Sequence, residues 1–189
     1  MSKLRAIETC YKGYRFRSRL EARWAVFFDA LGLQWEYEPE GFETSAGWYL
    51  PDFWVPALDC WIEIKGTPPT QHEDDLAQAL CIGKGTAVAI FIGLPRMEWP
   101  RKFGRLHCWD TNESGGGYGD WSTALQVTEG RLAFDVADVG RHDLFSDPCM
   151  QKPLMQWARR TLSEDDADKM NRASDAAKAA RFEHGESPQ

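Results

Sequence analysis

The sequence predicts an α/β domain in which a mixed β-sheet is flanked by helices. Three patterns carry this prediction: apolar residues recur at helical spacing over 20–31, two segments within 48–65 are rich in aromatic and β-branched residues, and 87–92 is a nearly continuous apolar run. These patterns are typical of an amphipathic helix, of short strands and of a strand buried on both faces. A chain of 189 residues can form one such domain with a sizeable core and a terminal arm.

The first helix has a start signal and a stop signal. Ser18 and Glu21 stand three residues apart, as in a capping box, and Gly32 follows the apolar pattern. Glu21 has two interpretations that do not exclude each other. It caps the helix with Ser18, or it points inward, because it shares a helix face with Trp24 and Phe28.

Strands are predicted next, at 33–37, 48–55 and 60–65, with a turn or irregular link over 38–41. The last two strands are expected to form a hairpin whose turn is built on Pro56 and Asp59. The rest of the chain is organised around this hairpin.

Charged residues lie among the apolar residues of the hairpin. Because side chains alternate between the two faces of a strand, Glu63 and Lys65 share one face. Hairpin pairing places Asp52 across from them, so that two carboxylates converge beside one amine. Mg²⁺ and Mn²⁺ prefer such oxygen ligands, and a metal ion held there activates water and clamps phosphate oxygens. The alternative is a solvated edge strand with Asp52 at its end.

A second helix and a fourth strand complete the pattern. Residues 66–70 break the preceding strand, and 73–82 form a helix with Leu76, Ala79 and Leu80 on its inner face. Strand 87–92 follows. The predicted order is therefore helix, strand, strand, strand, helix, strand.

The motif residues resemble a known signature. Pro51-Asp52, followed after ten residues by Glu63-Ile64-Lys65, is similar to the motif of the PD-(D/E)XK nuclease superfamily. The resemblance covers about residues 15–94 and is to small phage, mobile-element or transposon-type endonucleases. It implies a restriction-endonuclease-like core in the order αβββαβ. It also implies a divalent-metal-dependent nuclease that hydrolyses phosphodiester bonds, acting on DNA as an endonuclease with Mg²⁺ (or Mn²⁺).

The resemblance also assigns roles to individual residues. The metal ligands are expected to be Asp52, Glu63 and the backbone carbonyl of Ile64, and Lys65 is expected to serve the attacking water. Glu21 matches a helical position that completes the metal site in similar nucleases. Gln78, on the second helix, matches a supporting position, although an exposed polar residue is the alternative there.

The charge distribution is uneven. The formal net charge is -7, yet the first 23 residues hold a basic group: Lys3, Arg5, Lys12, Arg15, Arg17, Arg19 and Arg23. This clustering predicts a basic rim in which Arg15, Arg17, Arg19 and Arg23 contact nucleic acid, since local basic patches make phosphate contacts. The alternative is a solvated N-terminal segment.

The remaining residues are predicted to extend the domain. Residues 95–150 form an aromatic and Gly-rich extension of a domain spanning 1–150, either a lid over the core or a base-stacking element. Residues 151–189 form a polar helical tail that is disordered at its end. Its helix, over 163–182, carries a thin apolar stripe that docks on the domain, on a second copy as a homodimer, or on a protein partner.

Several classes are disfavoured. The chain has no run of 18 apolar residues and no signal-peptide pattern, so neither a membrane span nor secretion is expected. Five scattered cysteines predict reduced thiols in a cytoplasmic protein. Two alternatives to a DNA endonuclease stay open: a catalytically silent nuclease-like module that binds nucleic acid or protein, and the same chemistry on RNA or branched DNA.

Overall fold

A computed structural model of the chain describes residues 8–98, 102–109, 124–128, 131–135 and 164–182. The elements in chain order are β1 (Thr9–Tyr11), β2 (Tyr14–Phe16), α1 (Arg19–Leu31), β3 (Glu36–Tyr37), β4 (Phe42–Thr44), β5 (Gly47–Tyr49), β6 (Phe53–Val55), a 3₁₀ turn (Pro56–Leu58), β7 (Cys60–Lys65), α2 (Gln71–Lys84), β8 (Ala87–Glu98), β9 (Lys102–Trp109), β10 (Ala124–Thr128), β11 (Arg131–Asp135) and α3 (Glu164–Ala179).

A mixed sheet forms the centre of the fold. Its strand order is β3-β6-β7-β8-β9, with β7 and β8 parallel and the other neighbours antiparallel. The parallel pair is joined by α2, which is the crossover that parallel neighbours require. The predicted α/β class, with a mixed sheet and flanking helices, is confirmed.

Helices cover both faces of this sheet. On β8, Ala89 and Phe91 pack into one apolar cluster with α1, whereas Val88 and Ile90 pack into a second cluster with Ala77 and other residues of α2. All four β8 residues are fully buried. The prediction that 87–92 is a strand buried on both faces therefore holds, because the two sets of alternating side chains each meet a helix.

The first helix begins and ends where its caps predict. The Ser18 hydroxyl accepts a hydrogen bond from the Glu21 backbone N–H, and Gly32 adopts the left-handed conformation with φ of 75°. The indole of Trp24 donates to the carbonyl of Gly93 at 2.9 Å, which ties the helix to β8. Burial of each large side chain on this face, such as Phe28, stabilises the fold by about 1.5–3 kcal/mol.

The strand predicted over 33–37 is shorter in the structure, because the helix cap uses its first residue. The backbone N–H of Leu33 donates to the carbonyl of Phe28, so this part of the chain is still capping α1. Pairing in the sheet begins only at β3.

The strand predicted over 48–55 is two strands. Its first part, β5, pairs with β4 in a separate hairpin, and its second part, β6, pairs with β7. The break falls at Pro51, whose ring removes the N–H that a continuous ladder would need. The turn predicted at Pro56 and Asp59 is present as a 3₁₀ turn, with Asp59 left-handed at φ of 48°.

Helix α3 packs on its own domain. Met170, Ala173 and Ala177 join the apolar cluster beneath α1, and the rings of Phe182 and Tyr11 meet edge to face at 6.2 Å. Of the three predicted docking sites for the apolar stripe of α3, the structure shows the first, its own domain. A homodimer or protein contact through this helix would have to use its polar face.

Some predictions lie outside the described residues. These are the Gly-rich loop within 110–123, most of the rest of the extension predicted over 95–150, and the tail before 164 and after 182. Within the described part of the chain, no helix is both long enough and apolar enough to cross a membrane.

Candidate functional site

The site begins with the pairing of β6 and β7, which brings two acids together. The last pair in the register is Phe53 with Ile62, and the same register continued by one residue places Asp52 opposite Glu63. Facing residues of an antiparallel pair have Cβ atoms about 4.5–5.5 Å apart. Both acids are buried, with 2% of Asp52 and 7% of Glu63 exposed.

Asp52 is held by two donors. Its Oδ2 accepts a hydrogen bond from the backbone N–H of Ile64 at 2.7 Å, and its Oδ1 accepts one from the guanidinium of Arg17 at 3.0 Å. Because the N–H and C=O of one strand residue point to the same side, the carbonyl of Ile64 also faces the edge where β6 has ended. Two carboxylates and one backbone carbonyl therefore border the same edge of β7.

Ionisation of both acids is disfavoured by burial. Burial and the nearby charges of Glu63 and Glu21 raise the pKa of Asp52 well above its usual range, despite the hydrogen bond from Ile64 and the charge of Arg17. Burial also raises the pKa of Glu63, against the opposing effect of Lys65. Neighbouring carboxylates with raised pKa values favour binding of a cation or a shared proton.

Lys65 lies between two carboxylates. Its Nζ is 2.8 Å from Oε1 of Glu63 and 2.7 Å from Oε1 of Glu73. Burial alone would lower the pKa of Lys65, but the two acids outweigh burial, and the net effect raises the pKa. Lys65 is therefore a positioned ammonium ion rather than a base at neutral pH.

Glu21 combines a capping role with a place beside the acid pair. Its Oε1 accepts a hydrogen bond from the Ser18 hydroxyl at 2.6 Å, and its Oε2 accepts bonds from Tyr37 and from the backbone of Arg17, at 2.6 and 3.1 Å. Its charge contributes to the raised pKa of Asp52. Glu21 is 7% exposed, so it points inward, but three donors already occupy its oxygens.

The residues at this edge of β7 are oxygen-rich, as a divalent cation requires. Within the described ranges, no three His, Cys, Asp or Glu side chains come together as a group that could hold a metal ion. However, Oε2 of Glu63 and the hydroxyl of Tyr49 are both buried and form no hydrogen bond of good geometry among the described residues, although the phenol lies close enough to the Glu63 carboxylate for a weak one. Burial and the charges of Glu63 and Asp52 raise the pKa of that phenol.

A buried carboxylate oxygen that lacks a well-formed hydrogen bond destabilises the fold unless a further ligand, such as a cation, satisfies it. The acid pair and the Ile64 carbonyl offer the hard oxygen atoms that Mg²⁺ and Mn²⁺ prefer, and these ions keep several waters when the protein supplies few ligands. The donor set at this edge therefore fits such an ion.

The four arginines of the predicted basic rim fall into two groups: two form ion pairs with acids, and two do not. Arg15 is paired with Glu8 on the surface, and Arg17 is paired with Asp52 and Glu38. Arg19 and Arg23 form no ion pair with any residue that the structure describes, and their buried Nε atoms lack hydrogen-bond partners there. These two arginines lie one helical turn apart on α1.

The second helix reaches the site through a residue that the sequence did not single out. Gln78 makes no hydrogen bond to the site among the described residues, whereas Glu73, in the first turn of α2, contacts Lys65. Tyr49 and Tyr37 were also missed. The pattern Thr70-x-x-Glu73 is a capping box and could have placed Glu73 close to the end of β7.

Comparison of the chain with protein-family models, with curated proteins and with solved structures found no match. The resemblance to PD-(D/E)XK nucleases therefore rests on the motif residues themselves.

Proposed function

We propose that this protein is a divalent-metal-dependent nuclease that hydrolyses phosphodiester bonds, and that it acts on DNA as an endonuclease. One observation carries the proposal: the buried Asp52 and Glu63 carboxylates lie together, and the Lys65 ammonium group contacts Glu63. Buried like charges destabilise a fold, so their presence favours a role in binding a cation.

Each residue has a chemical role in this proposal. Asp52, Glu63 and the Ile64 carbonyl would hold Mg²⁺ or Mn²⁺, which supplies a water of lowered pKa and neutralises phosphate oxygens when bound. Lys65 stays protonated and donates hydrogen bonds to the attacking water or to a phosphate oxygen. Glu21 adds negative charge from α1 and keeps the start of that helix beside the acid pair.

The arrangement of the core supports the proposal. In chain order, the central sheet and its helices are α1, β3, β6, β7, α2, β8 and β9; the first six are compatible with the αβββαβ order expected for a restriction-endonuclease-like core, and β9 adds a fifth strand. The β4–β5 hairpin is inserted between the first two of these strands.

Nucleic acid is the proposed substrate because of the charges on α1. Arg19 and Arg23 are half-buried, and within the described part of the chain neither is neutralised by an acid. Guanidinium groups without a protein partner are suited to phosphate, whose oxygens accept two hydrogen bonds from one arginine. The net charge of -7 repels nucleic acid from the rest of the surface, so phosphate contacts are expected only at this basic patch.

The test is a cleavage assay on supercoiled, linear, single-stranded and branched DNA and on RNA, in Mg²⁺, Mn²⁺ or EDTA. We expect metal-dependent nicking or cutting of DNA by the natural protein, and a loss of about 10²–10³-fold or more in Asp52→Asn and Lys65→Met, as for other groups that stabilise transition-state charge. Glu36→Gln, which changes an exposed acid on β3, is the matched control and should retain activity.

Four results would contradict the proposal in whole or in part. Cleavage that persists in EDTA, or that is unchanged in both site variants, would exclude the proposed chemistry. If no substrate is cut with either metal, a silent binding module is favoured. Cleavage restricted to RNA or to branched DNA would reassign the substrate.

A further inference from the structure

The first turn of α2 holds a carboxylate with two separate tasks. Glu73 stands at the third position of the helix, and its Oε2 accepts hydrogen bonds from the backbone N–H and the hydroxyl of Thr70, at 2.7 and 2.9 Å. The Thr70 side chain in turn accepts from the Glu73 backbone, so the capping box is complete. This box uses Oε2 only, which leaves Oε1 to contact Lys65.

Lys65 is the last residue of β7. Without Glu73, its flexible side chain would be held by Glu63 alone. A free lysine side chain carries about 2 kcal/mol of conformational entropy. Glu63, two residues earlier on the same strand, holds Nζ from one direction, and Glu73 holds it from α2. An ammonium group has three donors, so these two contacts leave one for a ligand.

The Glu73 carboxylate is itself well anchored. Burial would raise its pKa, but hydrogen bonds from Lys65 and Thr70 lower the pKa to about 2. The carboxylate is therefore ionised at neutral pH, and the helix cap keeps it in place.

We propose that Glu73 is a positioning residue for Lys65: it links the cap of α2 to the ammonium group and directs the third Nζ donor towards the edge of β7 where Asp52 and Glu63 meet. The consequence for catalysis rests on the proposed nuclease function, whereas the positioning of Lys65 can be measured without any activity.

Positioning is tested by NMR relaxation of the Lys65 Nζ group at one mildly acidic pH, at which lysine stays charged. We expect a restricted Nζ in the natural protein and a mobile one in Glu73→Gln, with the order parameter falling by about a third, as between rigid and flexible groups. Thr70→Ala removes the capping hydroxyl but keeps the hydrogen bond from the backbone N–H of residue 70 to Oε2 of Glu73, so the carboxylate stays anchored and Lys65 should stay restricted in this control.

An unchanged Lys65 order parameter in Glu73→Gln would overturn the inference. An equal rise in mobility in Thr70→Ala would also overturn it, because the helix end rather than the carboxylate would then hold Lys65.

Steady-state cleavage kinetics separate this inference from the proposed function. We expect Glu73→Gln to lower kcat about tenfold with little change in KM, because Lys65 acts on the reacting phosphate and not on remote substrate contacts. A raised KM with unchanged kcat would contradict a positioning role in catalysis. If the natural protein cuts no substrate, the nuclease proposal fails, and the relaxation data alone still decide whether Glu73 positions Lys65.

Discussion

Replacement of Asp52 by Asn should stabilise the metal-free protein at alkaline pH. The change conserves the shape of the side chain and retains an acceptor for the backbone N–H of Ile64. It removes a charge that is almost entirely buried and faces Glu63. Most substitutions of buried residues destabilise a protein. A gain in stability here would therefore point to relief of the repulsion between the two acids.

The magnitude follows from the geometry of the pair. The Cβ atoms of facing strand residues lie about 5 Å apart, and two carboxylate charges at about this separation repel by about 3 kcal/mol at an effective dielectric constant of about 20. The lost attraction to Arg17 is smaller, about 1 kcal/mol at most, because 57% of that side chain is exposed and it keeps its contact with Glu38. The net gain is about 2 kcal/mol.

The gain should depend on pH. Since the pKa of Asp52 is raised in the folded state, the folded protein binds this proton more tightly than the unfolded chain, whose Asp pKa is about 3.9. The natural protein therefore loses stability as the pH rises from about 4 through the folded pKa, and the Asn variant lacks this loss.

Urea unfolding in EDTA at pH 8 and at pH 5 measures the difference. Asp52→Asn should exceed the natural protein at pH 8 and exceed it by less at pH 5, while Glu36→Gln should show no such trend. A variant that is less stable at pH 8, or a gain of equal size at both pH values, would refute the proposed repulsion.

Three further predictions concern the same elements. In Mn²⁺ at about ten times its Kd, thermal unfolding should show a gain of about 1.4 kcal/mol for the natural protein and about 0.4 kcal/mol or less for Asp52→Asn; equal gains would argue against binding at the acid pair. Ser18→Ala should cost about 1 kcal/mol in urea unfolding through loss of the α1 cap, and no loss would contradict that cap. Asp59 is left-handed, with φ of 48°, so Asp59→Gly should be neutral or slightly stabilising and Asp59→Val should destabilise the fold by about 1–2 kcal/mol. Thermal unfolding measures both, and the reverse order would exclude a left-handed residue at this position.

The elements with strong local signals could be predicted from the sequence. α1 has a cap at each end, and the 87–92 run is apolar on both of its alternating faces, so both were placed closely. The β1–β2 hairpin was missed because its turn uses Lys12 and Gly13, both with positive φ. Asn or Asp is the usual residue where Lys12 stands.

The site was predicted only in part, for a related reason. Strand alternation and the motif placed Glu63, Lys65 and Asp52 on one edge, because these residues are related by local geometry along a single hairpin. Glu73 reaches Lys65 from another element, and Arg17 reaches Asp52 across 35 positions of the chain. Such contacts depend on tertiary packing and leave no periodic signal in the sequence.

The central claim is that the acid pair binds a divalent cation. Electron paramagnetic resonance of Mn²⁺ measures this directly, because the signal of free Mn²⁺ falls as the ion binds. We expect the natural protein and the Glu36→Gln control to reduce the free signal, and Asp52→Asn and Glu63→Gln to lose at least about tenfold in affinity. Equal binding by all four proteins, or none by the natural protein, would contradict a metal site at Asp52 and Glu63.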